Sequence, residues 1–339
     1  MKWYESEGKD RDVVCSTRVR LARNLVDYPF EPKLDEPSAK AIISRLGSVF
    51  TENAGYSLVD FGSLDANTRA SYAEQHIVSP EFAAKKTPHA LFENDEKQIY
   101  VMACEEDHIR AQAIIAGYDL DEAYARVCEA EKMIDEKLNI AYSEELGYLT
   151  HCPTNLGTAM RASVMMFLPA MTANGEMGAI RNQLEKLGLT VRGMSGEGTR
   201  ALGCLYQISN SVTLGITEEE TLSKLSDVVG YITERERELR KAMKDGDAGV
   251  ELEDKVRRSY GIMAYALKIS SSELLGLYAD VRLGAAMGLI DAELSSLDKM
   301  LMTTMPATLV SHGGDELAAS AVMRDKARAA KVREILKIK

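Results

Sequence analysis

The chain has 339 residues, of which 45% are hydrophobic and 27% charged. That is the balance of a soluble globular protein long enough for two domains. A formal net charge of −11 argues against nucleic acid as the main partner, because backbone binding needs a basic surface. Cationic, arginine-bearing partners are compatible with it.

No apolar run approaches the roughly 20 residues that span a bilayer, so no membrane partner is expected, and "MKWYESEGKDRD" is too polar for a signal peptide. The five cysteines are odd in number and lack C-x-x-C spacing, which points to reduced thiols and a cytoplasmic location. The five histidines have no metal-ligand spacing, so no protein-held metal is expected.

In chain order, "PSAKAIISRLGSVF" reads as a helix, with Pro37 in its first turn and Ile42, Ile43, Leu46 and Phe50 on one stripe. "QIYVMACEEDHIR" begins as a buried strand and breaks into charge at Glu105. "LDEAYARVCEAEKMIDEKL" aligns Ala123, Val127, Ala130, Ile134 and Leu138 on one helical face. A further helix is expected from Asn174, with Gly188 near its end. Residues 201–210 alternate as a strand. From Thr217 the pattern is helical: a long charged helix, a break at "DGDAG", then helices through "LEDKVRRSYGIMAYALKI", "SSSELLGLYADVRLGAAMGL", "DAELSSLDKMLMTT" and "GDELAASAVMRDKARAAKVREILK". The expectation is an α+β domain over 1–245 and an all-helical domain over 246–339.

Chemistry concentrates in a few polar stretches. Gly193 and Gly198 have the spacing of a phosphate-binding P-loop, but Thr199 and Arg200 stand where that loop needs Lys and Ser or Thr. A strand follows in place of its helix, so the P-loop reading fails. Five arginines stand beside small or hydroxyl residues: Arg18, Arg20, Arg110, Arg161 and Arg192. Arg18 and Arg20 are two apart, so on a strand they share a face. Guanidinium groups grip phosphate oxygens in bidentate fashion, and several together can hold a triphosphate; any one taken singly reads as a surface ion pair. Glu106 in "CEEDH" and Glu197 in "GMSGEG" could hold a guanidinium nucleophile and accept its proton, although an isolated "GEG" is more often a plain turn. Cys152, ahead of Pro153, is either packing or a thiol beside a bound cation.

Together, "STRVRLARNLVDYPF", "EEDHIR", "CPTNLGTAMRASV" and "RGMSGEG…YQISNSVTLGIT" resemble, in order and spacing, the catalytic domain of the phosphagen (guanidino) kinase family, over roughly residues 12 to 240. The resemblance implies an antiparallel sheet flanked by helices, with ATP as phosphoryl donor and Mg²⁺ held mainly through the phosphates. It implies a nucleotide site of Ser16, Thr17, Arg18, Val19, Arg20, His76, Arg110, Arg161, Ala162, Ser163, Val164, Met165, Arg192, Gly193, Met194, Ser195, Gly196 and Glu197. Glu106 and Glu197 would be the catalytic carboxylates, with Cys152 alongside. The chain departs from the family pattern at Cys104, where Asn is usual, which puts hydrogen bonding near Glu106 in question, and at Ser195, where a larger residue is frequent.

The kinase block begins at Ser16, without the helical domain that precedes it in ordinary phosphagen kinases, and a helical domain follows it. That layout resembles the bacterial protein-arginine kinases, whose R-D-x-x-R-A motif, here Arg324, Asp325, Lys326, Ala327, Arg328 and Ala329, recognises phosphoarginine. The implied function is phosphorylation of arginine side chains in proteins, marking them for a Clp-type protease and controlling a heat-shock repressor, with a zinc-binding activator protein. Apolar stripes on the helical domain point to a homodimer. The alternatives are a kinase for free arginine or another guanidino metabolite, and a non-catalytic phosphoarginine-binding scaffold.

Overall fold

The computed structural model describes residues 2–50, 55–193 and 202–337. Its centre is an eight-stranded antiparallel sheet built from β1 (Val14–Arg23), β2 (Ser57–Asp60), β3 (Ala90–Asn94), β4 (Ile99–Ala103), β5 (Ile109–Ala116), β8 (Met160–Phe167), β9 (Leu189–Gly193) and β10 (Leu205–Asn210). The spatial order is β2-β3-β4-β5-β1-β8-β10-β9, and a separate small hairpin joins β6 (Tyr142–Ser143) to β7 (Gly147–Tyr148). The helices are α1 (Glu36–Phe50), α2 (Ala66–Glu74), α3 (Pro80–Ala84), α4 (Leu120–Asp135), α5 (Pro169–Ala173), α6 (Met177–Lys186), α7 (Glu218–Ala242), α8 (Gly246–Tyr265), α9 (Ser271–Ala286), α10 (Leu294–Thr303), α11 (Pro306–Gly313), α12 (Asp315–Ala319) and α13 (Ala321–Ile335). The fold is α+β, with a helical C-terminal region.

Strand alternation sorts the side chains. Val19, Leu21, Ala111, Ala113, Ala162, Val164 and Ile208 face one side, where α1, α4 and α7 close a core with Ile42, Leu46, Val127, Ile134, Leu225 and Val229. The expected stripe of α4, Ala123 to Leu138, is buried throughout, and each fully buried Val or Ile in it contributes about 1.5–3 kcal/mol. On the other face, Leu91, Tyr100, Met102, Ile114, Phe167 and Leu205 pack with Trp3, Phe61 and Phe82, and with Leu274, Tyr278, Val281, Leu301, Ala329 and Val332 of the helices beyond Gly246. Those helices therefore share their apolar core with the sheet.

Several elements differ from the sequence pattern for local reasons. The helix expected from Asn174 begins at Met177, because Pro169 opens the short α5 and Gly175, at φ +71°, ends that turn. Strand β10 starts at Leu205, since Gly203 and Cys204 both take positive φ (+73° and +55°). The last expected helix is split at Ser320, whose hydroxyl caps α13 by accepting from Met323 N. The N-terminus of α11 is capped from far away in sequence: the Glu74 carboxylate accepts from Ala307 N and Thr308 N at 2.9 and 2.7 Å.

Helix α7 starts with a capping box between Thr217 and Glu220 and presents the fully buried Glu236. This carboxylate accepts from Ala170 N and Met171 N at the start of α5 and from Arg240 Nε at 2.7 Å. Removing it leaves a buried guanidinium and two backbone donors without their partner. Glu236→Ala is expected to destabilise the protein by about 3 kcal/mol or more, read as a fall in the denaturant midpoint.

Candidate active site

The central strand β1 pairs with β5 on one side and β8 on the other, in a register that stacks arginines. Arg20 lies opposite Arg161, Arg18 opposite Ser163, and Ala22 opposite Arg110. Gln207 of β10 lies opposite both Met165 and Arg192. All these positions have the same parity, so Arg18, Arg20, Arg110, Arg161 and Arg192 project from one face. Thr17, Val19, Ala162 and Val164 have the opposite parity and are fully buried; the Thr17 hydroxyl donates to Gly117 O at 2.7 Å. Within the runs 16–20 and 161–165, then, only alternate side chains reach the cleft, and the expectation that Thr17, Val19, Ala162 and Val164 bind nucleotide is corrected to exclude their side chains.

The cleft is lined by Arg20, Glu105, Glu106, Arg110, Cys152, Thr154, Asn155, Arg161 and Arg192. Among the described residues, positive charge there is scarcely neutralised. Arg110 pairs with Glu105 at 2.5 Å, while Arg18 donates only to neutral groups, Ser163 Oγ at 3.4 Å and Gln207 Oε1 at 3.1 Å. Arg20 Nε is buried and has no hydrogen-bond partner among the described residues. Burial and the neighbouring Arg110 lower the Arg18 pKa to about 10. Burial, then Arg110, Arg18 and Arg161, push Arg20 well below its ordinary value, and burial followed by Arg192 and Arg110 lowers Arg161. A guanidinium cluster crowded enough to depress its own basicity, with a buried donor left over, is built to receive an anion with several oxygens.

The turn after β4 divides labour among four residues. Glu105 is held below the ordinary carboxylate range: burial alone would raise it, but Arg110 and the Ser79 hydroxyl outweigh that. Asp107 is buried and accepts from Asn24 Nδ2 at 2.6 Å and His151 N at 2.7 Å, which ties this turn to the loop bearing Cys152. His108 Nδ1 accepts from Leu25 N, and its Nε2 donates to Pro29 O. Glu106 alone has no side-chain hydrogen bond or ion pair among the described residues. Its pKa is raised by burial, then by Asp107 and Glu105, as suits a proton acceptor. Cys104 takes φ +60°, a conformation that Asn tolerates better than most residues, and its thiol turns into the apolar core. The Cys104 thiol lies 3.8 Å from Ala39 O and makes no hydrogen bond to Glu106 among the described residues.

Cys152 is half-buried, with Sγ 3.0 Å from Thr154 Oγ1. Its loop closes on Gly157, at φ +98°, where a Cβ would meet Thr213 O at 2.1 Å; only glycine fits. His76, at φ +61°, lines a small cavity beside Arg18, Ser16, Ser163 and Met165. Burial and then Arg18 lower its pKa to about 4, so it is neutral at physiological pH. Met194, Ser195, Gly196 and Glu197 lie outside the described residues. Sequence reasoning missed Glu105 and Gln207, which position Arg110 and Arg18; strand parity was the signal available for Gln207.

The Arg324–Ala329 motif opens α13, away from this cleft. Arg328 is fully buried and donates to Thr304 O (2.9 Å), Ile269 O (2.8 Å) and Asp325 Oδ1 (2.6 Å). Arg324 is half-buried and donates to Leu317 O and Ala318 O.

Comparison with known proteins bears directly on this geometry. Residues 38–239 match the ATP:guanido phosphotransferase C-terminal catalytic domain, and residues 249–339 match the protein-arginine kinase McsB C-terminal domain. The protein-arginine kinase of Clostridium acetobutylicum is 40% identical over 93% of this chain and 94% of its own length. This chain belongs to the protein-arginine kinase family. The protein-arginine kinase of Syntrophomonas wolfei is likewise 40% identical, over 99% of this chain and 95% of its own length. Among solved structures, the duplicated taurocyamine kinase of Schistosoma mansoni with bound transition-state-analogue components superposes with a TM-score of 0.62 at 25% identity. That match covers 78% of this chain and 38% of the duplicated one. The kinase is thus a phosphotransferase whose family uses ATP.

Because the arginines repel one another, Arg161→Ala is expected to weaken ADP binding by about tenfold or more, the loss of one charge-assisted contact, without lowering the melting temperature. Calorimetric titration alongside thermal unfolding checks both halves.

Proposed function

We propose that the kinase transfers the γ-phosphoryl group of ATP to the guanidinium of arginine side chains in proteins. The observation that carries this reading is the juxtaposition, in one cleft, of an arginine cluster in which only Arg110 has a carboxylate partner among the described residues with the uncommitted carboxylate of Glu106. The arginines hold the phosphate oxygens, and Glu106 lies beside the place an in-line nucleophile would occupy. A guanidinium nitrogen attacks the γ-phosphorus, the bond to the bridging oxygen breaks, and ADP leaves. The nitrogen's proton passes to Glu106, with Glu197 proposed as its partner on family likeness. The cleft rim, with His151, Pro153 and Thr154 exposed, suits an arginine presented on a polypeptide.

Mg²⁺ fits as an ion carried on the nucleotide. Among the described residues no group of three His, Cys, Asp or Glu side chains is placed to hold one, while five arginines stand ready for phosphates. When bound, it would neutralise charge on the β- and γ-phosphates. Family likeness also supports a cytoplasmic homodimer, a zinc-binding activator, marking for a Clp-type protease and control of a heat-shock repressor. It supports phosphoarginine recognition by the Arg324–Ala329 motif. Arg328 and Asp325 are paired with each other there, so Arg324 is the member to mutate: Arg324→Ala should remove stimulation by added phosphoarginine while leaving basal activity.

Incubation with ATP, a basic protein and free arginine tests the main reading. Acid-labile phosphate is expected on the protein. Label on free arginine alone would point to a metabolite kinase, and no label at all to a binding scaffold. Glu106→Gln is expected to cut the rate on the order of a hundredfold or more with ADP affinity retained. Since the Glu106 pKa is raised and the carboxylate must be ionised to accept a proton, the acid limb of kcat/KM should lie above the ordinary glutamate range. The rate should climb with pH across it, as a pH–rate profile would show.

A further inference from the structure

Asp298 lies on α10 with 2% of its surface exposed, and two buried arginines share it. Its Oδ1 accepts from the Tyr278 hydroxyl at 2.8 Å and Arg282 Nε at 3.0 Å. Its Oδ2 accepts from Arg11 Nε at 3.3 Å and Nη2 at 3.2 Å. Arg11 Nη2 also donates to Tyr4 O at 3.0 Å. The Tyr4 hydroxyl donates to Gln75 Oε1 at 3.0 Å, and Trp3 Nε1 donates to the Gln75 carbonyl at 3.1 Å. Gln75 immediately precedes His76. Buried polar contacts, joined through the covalent frame of Tyr4 and of Gln75, therefore lead from the C-terminal helices to the residue before a histidine of positive φ.

That conformation is uncommon for a residue other than glycine and persists where its surroundings impose it. Here Trp3 and Tyr4 grip both the carbonyl and the side chain of the preceding residue. The two ends of the run meet again in space: Asp298 and Tyr278 line the same small cavity as Trp3, His76 and Arg18. A network that only stapled the N-terminal segment to the helices would need no such convergence on the arginine face.

We propose that Asp298 is a positioning residue for the nucleotide, acting through Arg11, Tyr4 and Gln75 to hold His76 in the small cavity beside Arg18. The C-terminal helices thereby take part in the nucleotide site as well as packing on the sheet. The inference rests on the placement of nucleotide at Arg18 and His76, so its test separates the two.

The experiment uses the full-length protein and ADP, with binding followed by calorimetry and by the fluorescence of Trp3, the single tryptophan. Tyr4→Phe keeps the ring and removes one hydrogen bond of the run. It is expected to weaken ADP binding about fivefold, the equivalent of one buried hydrogen bond, with kcat at saturating ATP and KM for the protein substrate little changed. Tyr4→Phe combined with His76→Ala should bind ADP as His76→Ala alone does, because both act through one side chain. Asp298→Asn should show the same non-additivity, and if that variant does not fold, Tyr4→Phe carries the test. Wild-type ADP affinity in Tyr4→Phe, or full additivity with His76→Ala, would overturn the relay while leaving His76 in the site. Wild-type affinity in His76→Ala would overturn the inference together with that placement of the nucleotide.

Discussion

Arg18 and Arg20 stand two residues apart on the most central strand of the sheet, and the register places Arg161 directly across from Arg20. Bringing like charges this close, partly out of water, opposes folding. The sheet tolerates it because the opposite parity of the same strand, Val19 and Leu21, is sealed into an apolar core, and because strands on both sides hold the register. Among the described residues, Glu105 is the carboxylate paired with the cluster, and it goes to Arg110. Strain at a functional site is thus balanced by packing elsewhere.

Around this face the loops carry the chemistry. Buried Asp107 joins the turn of Glu106 to the loop of Cys152, so a carboxylate and a half-buried thiol are held at one rim of the cleft. Arg23, also on β1 but of the other parity, serves structure: its guanidinium lies 3.4 Å from the centre of the Tyr148 ring and pairs with Glu131. Three arginines in one short stretch thus take two different roles, and parity decides which.

Much of this was legible in the sequence because it rests on local spacing. The alternation in "TRVR" and the stripe of α4 follow from two- and four-residue periodicities, and the order of the motifs was legible through resemblance to the phosphagen kinase family. Contiguous runs were less informative. Thr17, Val19, Ala162 and Val164 sit between residues of the arginine face yet face the core, as strand geometry requires. Long-range contacts were not legible at all. Helix α11 is capped by Glu74, the helices beyond Gly246 share a core with the sheet, and Arg328 is claimed by two carbonyls distant in sequence. A motif that resemblance assigns to phosphoarginine recognition can contain an arginine that is fully enclosed.

On the proposed reading, the arginine face binds a nucleotide through its phosphate charge. Calorimetric titration of the unmodified protein with AMP, ADP and ATP tests it most directly. If the cluster is the phosphate site, affinity should climb by about tenfold or more with each added phosphate and fall as salt is raised. Equal affinities for the three nucleotides, insensitive to salt, would contradict the account.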